Sequence, residues 1–377
     1  MIILCVAFLC LALAAIPWGM IARNLGLFLP ACNQEPFLTA AKEIPVSVLI
    51  PARNEEGSIA AAIHALQVST HSCFEVIVMD DDSQDRTAEI VSNAAQIDPR
   101  IQLRKSAPLP QGWNGKQHAC WQLSLAAAHD RLLFLDADVR LSPDAITRIV
   151  AEQEQRQAPL VSGFPYQETG TFAEKNLIPM MHYVLLGYLP IERMRSTVDP
   201  GFAAGCGQLF LAKKQEYLQS DGHRAIASSR HDGIKLPRNF RNHGFKTDLF
   251  DASDIAKCRM YQSLSQVHRG LLKNATEGIA NPKLILPFSI LLLGGATIPP
   301  LLLAWQFLLP TSILVISLFA LATGLNWFAR FRLQRRFGQS FLGFILHPLA
   351  VLWFVTLQWV ALVKAWLKLP TAWRGRT

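Results

Sequence analysis

The chain lacks any ordered arrangement of cysteine. Its seven cysteines (Cys5, Cys10, Cys32, Cys73, Cys120, Cys206 and Cys258) are odd in number, scattered, and form no Cys-x-x-Cys pair. A disulfide framework and a zinc finger are thereby excluded, and a reducing cytoplasm fits. Acidic residues are missing from both ends. Asn281–Thr377 holds nine Lys or Arg and no Asp or Glu, and residues 1–30 add Arg23 and no acid. The remainder, 31–280, carries 26 bases against 28 acids. The net charge of +8 therefore belongs to the ends, and a nucleic-acid partner loses the basic surface it needs. Internal repeats and low-complexity tracts are also absent, so the chain is no solenoid or array.

Apolar sequence is what the chain has in quantity: the mean hydropathy is +0.22, high for a soluble protein. Met1–Ala22 is almost wholly apolar and long enough to cross about 30 Å of hydrocarbon. Ala12, Ala14 and Ala15 offer a signal-peptide cleavage site, but no Lys or Arg precedes the run and Arg23 follows it. The stretch reads as an uncleaved anchor, residues 1–22, with the next domain inside the cell. Residues 23–45, with Pro30, Pro36 and Pro45, read as a linker. Beyond Asn281 three apolar stretches follow, near 284–309, 311–329 and 341–363. Pro299-Pro300 is expected to break or kink the first. The basic run Arg330–Arg336 belongs inside, so the first two cross. A third crossing would leave Lys368, Arg374 and Arg376 outside, against the rule, unless His347-Pro348 marks a re-entrant segment. Residues 281–377 thus form a membrane region of two to three spans.

Between the ends the pattern is strand, turn, helix, repeated. Strands are predicted at 46–50, 74–79, 101–103, 131–135 and 158–165. Helices are predicted after PARNEEGS, near Asp85–Gln96, over Gly115–His129, and after a Ser142 N-cap with Pro143 in the first position. Strands alternating with helices give βαβ units and a parallel α/β sheet. Thr171–Arg195 suits a core helix or an amphipathic helix on the membrane.

Chemistry concentrates in short motifs. In LFLDAD the buried strand 132–135 runs into Asp136-Ala137-Asp138. Two carboxylates at the C-terminal end of such a strand suit a cation, Mg²⁺ or Mn²⁺, although a capped surface turn is the commoner source of Asp-x-Asp. VMDDDSQDRT places Asp80 and Asp81 at a second strand end, where carboxylates can hold a base or ribose; Asp85 reads as a helix cap. GWNGK (112–116) brings glycines and Lys116 to a helix start, a setting for a diphosphate. GFAAGCG (201–207) suits a close approach of backbone to a ligand or neighbour, or equally tight packing. His231-Asp232-Gly233 offers a general base in Asp232, with Arg238 and Arg241 on a solvated face. Gln266-Val267-His268-Arg269 puts a glutamine and an arginine on one helical turn before the membrane.

The order PARNEE, VMDDDSQDRT, GWNGK, LFLDAD, GCG, HDG and QVHRG resembles the family 2 glycosyltransferases over residues 46–270. The resemblance implies a GT-A fold, Rossmann-like and mostly parallel with helices on both faces, spanning 46–280, plus transmembrane helices. GWNGK–ACW, a strand at Arg259-Met260-Tyr261, and GLLKN (270–274) look most like members acting on carotenoids or other isoprenoid lipids. By that resemblance Pro51, Arg53, Glu55 and Asp81 line the nucleotide pocket, with Lys116 at the diphosphate. Asp136 meets ribose or metal, Asp138 meets the metal, and Asp232 is the catalytic base. Gln266 and Arg269 join the donor site. Asp82 stands where the family has glycine, which implies a left-handed backbone that Asp tolerates. Gly270 replaces the tryptophan that holds an acceptor sugar in processive synthases, which argues for a single transfer.

The expected reaction is inverting transfer from a nucleotide sugar, UDP-linked, to an apolar acceptor. A divalent metal is the cofactor, and the enzyme is multi-pass in the cell (inner) membrane with its catalytic domain cytoplasmic. The rivals are a processive polysaccharide synthase, a nucleotidyltransferase, and an inactive membrane scaffold.

Overall fold

The computed structural model describes residues 1–308, 310 and 312–369. Contacts divide the chain into two units: Phe28–Glu168 with Glu192–Met260, and Met1–Leu27 with Thr169–Ile191 and Tyr261–Thr377.

The first unit is built on one sheet. Its strands are β1 (Val46–Ala52), β2 (Phe74–Asp80), β3 (Ile101–Lys105), β4 (Arg131–Leu135), β5 (Val139–Leu141), β6 (Leu160–Gln167), β7 (Leu209–Lys213) and β8 (Thr247–Cys258). Among the described residues they lie in the order β3-β2-β1-β4-β7-β6-β8-β5. The block β3-β2-β1-β4 is parallel, β7 runs antiparallel to β4 and β6, and β8 pairs parallel with β6 and antiparallel with β5. Both faces are covered, which is why the central strands are continuously apolar. Val48, Ile50, Leu133 and Leu135 enter one core with Ile63 and Ile149. Their neighbours Leu49, Leu132 and Phe134 point the other way and pack with Leu123, Leu236 and Phe240. One alternation of side chains thus feeds two cores. Because β2 and β4 flank β1 on opposite sides, the sheet reverses direction at β1/β4, and ligand crevices form at the strand ends beside such a reversal.

The five strands predicted from the sequence are present, with β6 beginning at Leu160. Three expectations are corrected. Arg259-Met260-Tyr261 is not a strand: β8 stops at Cys258, where its partners β5 and β6 also run out. The helix after β5 begins at Ala145 with Asp144 as its N-cap, because the Ser142 amide is held by the Ile255 carbonyl at 2.7 Å. Arg241 lies on no solvated face. It is 2 % exposed and donates to Thr247 Oγ1 at 2.8 Å and to the Met194 carbonyl at 2.6 Å, so its charge is satisfied inside the fold.

Among the described residues of the second unit, four helices are long and apolar enough to cross a membrane: Ile2–Asn24, Ile285–Gln306, Ile313–Arg336 and His347–Trp366. Pro299-Pro300 does not break its helix. The prolines occupy the first turn of Ile298–Gln306 after a π-helical segment, Leu293–Thr297, where their missing N–H groups cost little. His347-Pro348 likewise opens the helix His347–Trp366, which is 20 residues long. Arg374 and Arg376 lie outside the described residues. The segment expected as one helix over Thr171–Arg195 is three short ones, Phe172–Leu177, Met180–Tyr188 and Ile191–Ser196, separated at Pro179 and Pro190. The first carries a capping box between Thr171 and Glu174.

Candidate active site

β4 delivers Asp136-Ala137-Asp138 to the end of the sheet. Ala137 packs into the core, and the Asp136 amide donates to the Gln208 carbonyl at 3.0 Å, which fixes the turn. The helix Gly115–Ala126 starts opposite, capped by Asn114, whose side chain accepts from the Lys116 amide. From there Lys116 Nζ reaches Asp136 Oδ1 at 2.6 Å, Asp232 Oδ2 at 2.9 Å and the Gly207 carbonyl at 3.0 Å. Burial disfavours this ammonium, but the Asp136 and Asp232 carboxylates outweigh it and hold its pKa well above the ordinary lysine value. One cation therefore ties the strand end to the candidate base.

Asp232 is the first residue of the helix Asp232–Asn242 and is 8 % exposed. Burial pushes its carboxyl upward, yet the Lys116 charge and hydrogen bond prevail and keep its pKa below the usual aspartate value. The glycines around it are there for room. A Cβ at Gly207 would stand 2.2 Å from Asp232 Oδ1, and one at Gly233 would stand 2.8 Å from the Gly205 carbonyl oxygen. This is the close approach that GFAAGCG implied. Gly207→Ala is accordingly expected to destabilise the protein by about 1–3 kcal/mol and to lose most activity by displacing Asp232. Thermal unfolding and turnover measured together check this, and a variant with wild-type values for both would refute it.

Asp138 has the opposite electrostatics. Its Oδ1 is buried without a hydrogen-bond partner. Burial first, then the Asp136 and Glu55 carboxylates, raise its pKa to about 7, against a weaker lowering by the Cys258 thiol. An orphaned carboxylate oxygen beside a second carboxylate is the chemistry of a hard divalent cation, so Asp138 and Asp136 fit Mg²⁺ or Mn²⁺. Among the described residues no cluster of three or more His, Cys, Asp or Glu forms a metal cage.

The ends of β1 and β2 form a tied turn. Arg53 donates to the Asp81 carbonyl and, at 3.1 Å, to that of Asp82. Asp82 has φ +60, the left-handed conformation expected of a residue in a glycine position. Asn54 Oδ1 accepts from the Gln84 amide at 2.8 Å, and the Glu55 amide donates to Thr87 Oγ1 at 2.8 Å. Asp81 is buried, its amide bonded to the Ala52 carbonyl at 2.8 Å, and Pro51 stands in register with Met79. Asp85 accepts from the Thr87 amide at 3.0 Å and from the Glu56 amide at 3.1 Å, but it is not the helix cap expected of it: the N-cap of the helix Thr87–Ile97 is Arg86.

Within this unit the sheet ends therefore gather Lys116, Asp136, Asp138 and Asp232 beside the Arg53–Asp82 turn. Residues 47–217 match the family described as Glycosyl transferase family 2. The match runs from β1 through β7 and takes in Lys116, Asp136 and Asp138. The 4,4'-diaponeurosporenoate glycosyltransferase of Staphylococcus aureus (strain USA300) is 27% identical over 348 residues, covering 88% of this chain and 87% of that protein. The fold is shared with a mannosyltransferase from Pyrobaculum calidifontis, solved in complex with GDP-Man and Mn²⁺. That comparison gives a TM-score of 0.52 at 15% identity and covers 96% of this chain and 98% of the other. The sheet is a GT-A sheet.

Gln266 and Arg269 belong to the other unit, on the helix Leu264–Asn274. Gln266 Oε1 accepts from the Gln262 amide at 2.7 Å, and Arg269 Nε donates to the Ser265 carbonyl at 3.4 Å. Space at Gly270 is tight: a Cβ there would stand 2.1 Å from the Tyr261 hydroxyl. Two site neighbours escaped the sequence reading. Gln208 bridges Gln167 Nε2, at 2.7 Å, and Cys258 Sγ, also at 2.7 Å, and Cys258 in turn touches Asp138. Neither lies in a recognisable motif; Gln208 had only its place after GFAAGCG as a signal.

Proposed function

We propose that this glycosyltransferase transfers one sugar, with inversion, from a UDP-linked donor to a hydroxylated or carboxylated carotenoid-like lipid, and that it requires a divalent metal. The supporting observation is the Lys116 bridge between Asp136 and Asp232, set beside the orphaned oxygen of Asp138. It brings a phosphate-binding cation, a metal-ligand pair and a general base to one strand end. The likeness to a carotenoid glycosyltransferase along most of both chains supports the acceptor class.

In this reading Pro51, Arg53, Glu55 and Asp81 hold the nucleoside, and Asp81 accepts a hydrogen bond from the base. Asp138 and Asp136 would hold the metal, which would supply positive charge for the leaving diphosphate. Lys116 adds a second cation at that position. Asp232, kept ionised, takes the proton from the acceptor oxygen as that oxygen attacks the anomeric carbon opposite the leaving group. One displacement inverts the centre. In the same reading the enzyme lies in the cell membrane with its catalytic domain in the cytoplasm, a location that the four apolar helices among the described residues support. There a lipid acceptor is concentrated at the surface.

The test uses the full-length protein in lipid nanodiscs, a carotenoid carboxylate or hydroxycarotenoid as acceptor, and UDP- and GDP-hexoses in parallel. A product heavier by one hexose, of inverted anomeric configuration and made only from the UDP donor, is expected. Polymer as product would favour the processive synthase, and a preference for GDP would correct the nucleotide. Chelation by EDTA is expected to stop turnover, and added Mn²⁺ or Mg²⁺ to restore it. Undiminished turnover in EDTA would remove the metal from the reaction.

A further inference from the structure

The two oxygens of Asp138 are not alike. Oδ1 is buried without a hydrogen-bond partner, so the hydrogen bond that Asp138 makes with Cys258 falls on Oδ2. Cys258 closes β8, where it stands in register with Val139 of β5, the neighbour of Asp138, and with Gln167 of β6. It is wholly buried. Three strands thus converge on one sulfur beside the candidate metal ligand.

The direction of every bond there is set by a backbone carbonyl, which can only accept. Gln167 Nε2 donates to the Pro165 carbonyl at 3.1 Å and to Gln208 Oε1 at 2.7 Å. Gln208 Oε1 also accepts from the Cys206 thiol at 3.4 Å. Turning the Gln208 amide round would set two NH₂ groups against each other, so its Nε2 faces Cys258 Sγ, 2.7 Å away, and donates to it. The sulfur accepts there, and its single hydrogen is left for the Asp138 carboxylate. Gln208 is itself held in place just ahead of β7, and its carbonyl binds the Asp136 amide at 3.0 Å. One residue therefore fixes the backbone of Asp136 and, through a thiol, the side chain of Asp138.

We infer that Gln208 and Cys258 are positioning residues for the candidate metal site, the thiol holding Asp138 Oδ2 so that Oδ1 is left for the cation. The assignment rests on the proposed metal dependence. Among the described residues no three His, Cys, Asp or Glu side chains form a group that could hold a metal, so the thiol acts on the carboxylate and not as a ligand. A carboxylate already oriented by a hydrogen bond binds a cation more tightly than one that must be ordered at that moment.

Mn²⁺ binding by the full-length protein in lipid nanodiscs tests this, with UDP and GDP in parallel and the free ion followed by electron paramagnetic resonance. No acceptor is added, so turnover plays no part. Cys258→Ala is expected to weaken Mn²⁺ binding by roughly 10–100-fold. Cys258→Ser, whose hydroxyl still donates, is expected to restore most of that affinity. Gln208→Met keeps the thiol but removes its hold, and is expected to weaken binding by roughly tenfold; it decides the matter if Cys258→Ala does not fold. Thermal midpoints are read alongside. Equal losses in the serine and alanine variants would make the role one of packing and overturn the inference. Wild-type affinity in folded Cys258→Ala or Gln208→Met would also overturn it, leaving the metal dependence intact. A wild-type protein that binds no Mn²⁺ would remove the metal dependence, and this inference with it.

Discussion

Asp232→Asn is expected to lower the turnover number by about 10²–10⁴-fold, the usual contribution of a general base, while donor affinity stays close to wild type. The asparagine amide keeps the shape and still fits beside Gly207, but it cannot take a proton. Lys116 retains Asp136 at 2.6 Å and the Gly207 carbonyl at 3.0 Å, so the cation at the diphosphate position is preserved. Nucleotide-sugar binding by calorimetry and single-turnover transfer separate the two effects. A parallel loss of affinity and rate would make Asp232 a donor-binding residue. The wild-type profile carries a further signature. Because Lys116 keeps the Asp232 pKa below the ordinary aspartate value despite burial, activity has no limb from this group near neutral pH. Its loss comes only on strong acidification.

Asp138→Asn is expected to be equally damaging through the metal: a loss of roughly 10³-fold or more in kcat/KM, since Lewis-acid charge on a leaving phosphate is worth several kcal/mol. Titration of Mn²⁺ against activity checks it, and unchanged metal activation would remove Asp138 as a ligand. The same substitution is expected to change stability in the opposite sense in chelated protein. The Asp138 pKa is raised from 3.8 to about 7 in the fold, so the folded chain holds this proton more tightly than the unfolded chain does. Its contribution is present below about pH 4, declines as the pH rises towards 7, and above that the ionised carboxylate is a standing cost. Asparagine removes that cost. The thermal midpoint of the chelated variant is expected to exceed that of the wild type at about pH 8, and the gap to close on acidification.

The two carboxylates behave differently for a reason the sequence does not display. Asp232 is met by Lys116, 116 positions earlier in the chain, whereas Asp138 is met by Asp136, Glu55 and a buried thiol. Spacing identified both as acidic residues in suggestive motifs, but the sign of each pKa shift depends on neighbours assembled by the sheet. Arg241 makes the same point from the other side. An arginine in a polar helix reads as solvated, and only the packing of Thr247 and the Met194 carbonyl around it shows that it is buried.

The sequence by itself determined the strand–helix succession of a parallel sheet, the four apolar stretches, the Asp82 backbone conformation and the order of motifs that points to family 2. Each of these is local: alternation, run length, a turn residue, or a string of neighbours. The tertiary structure decided the strand order, the antiparallel strands β5 and β7, the pairing of β8 beside β6, the passage of Thr169–Ile191 into the unit of apolar helices, and the contact of Gly207 with Asp232. It also decided that one lysine joins the Asp-x-Asp end to the candidate base. Those are pairings across long separations, where a short strand or a glycine carries almost no signal until its partner is in place.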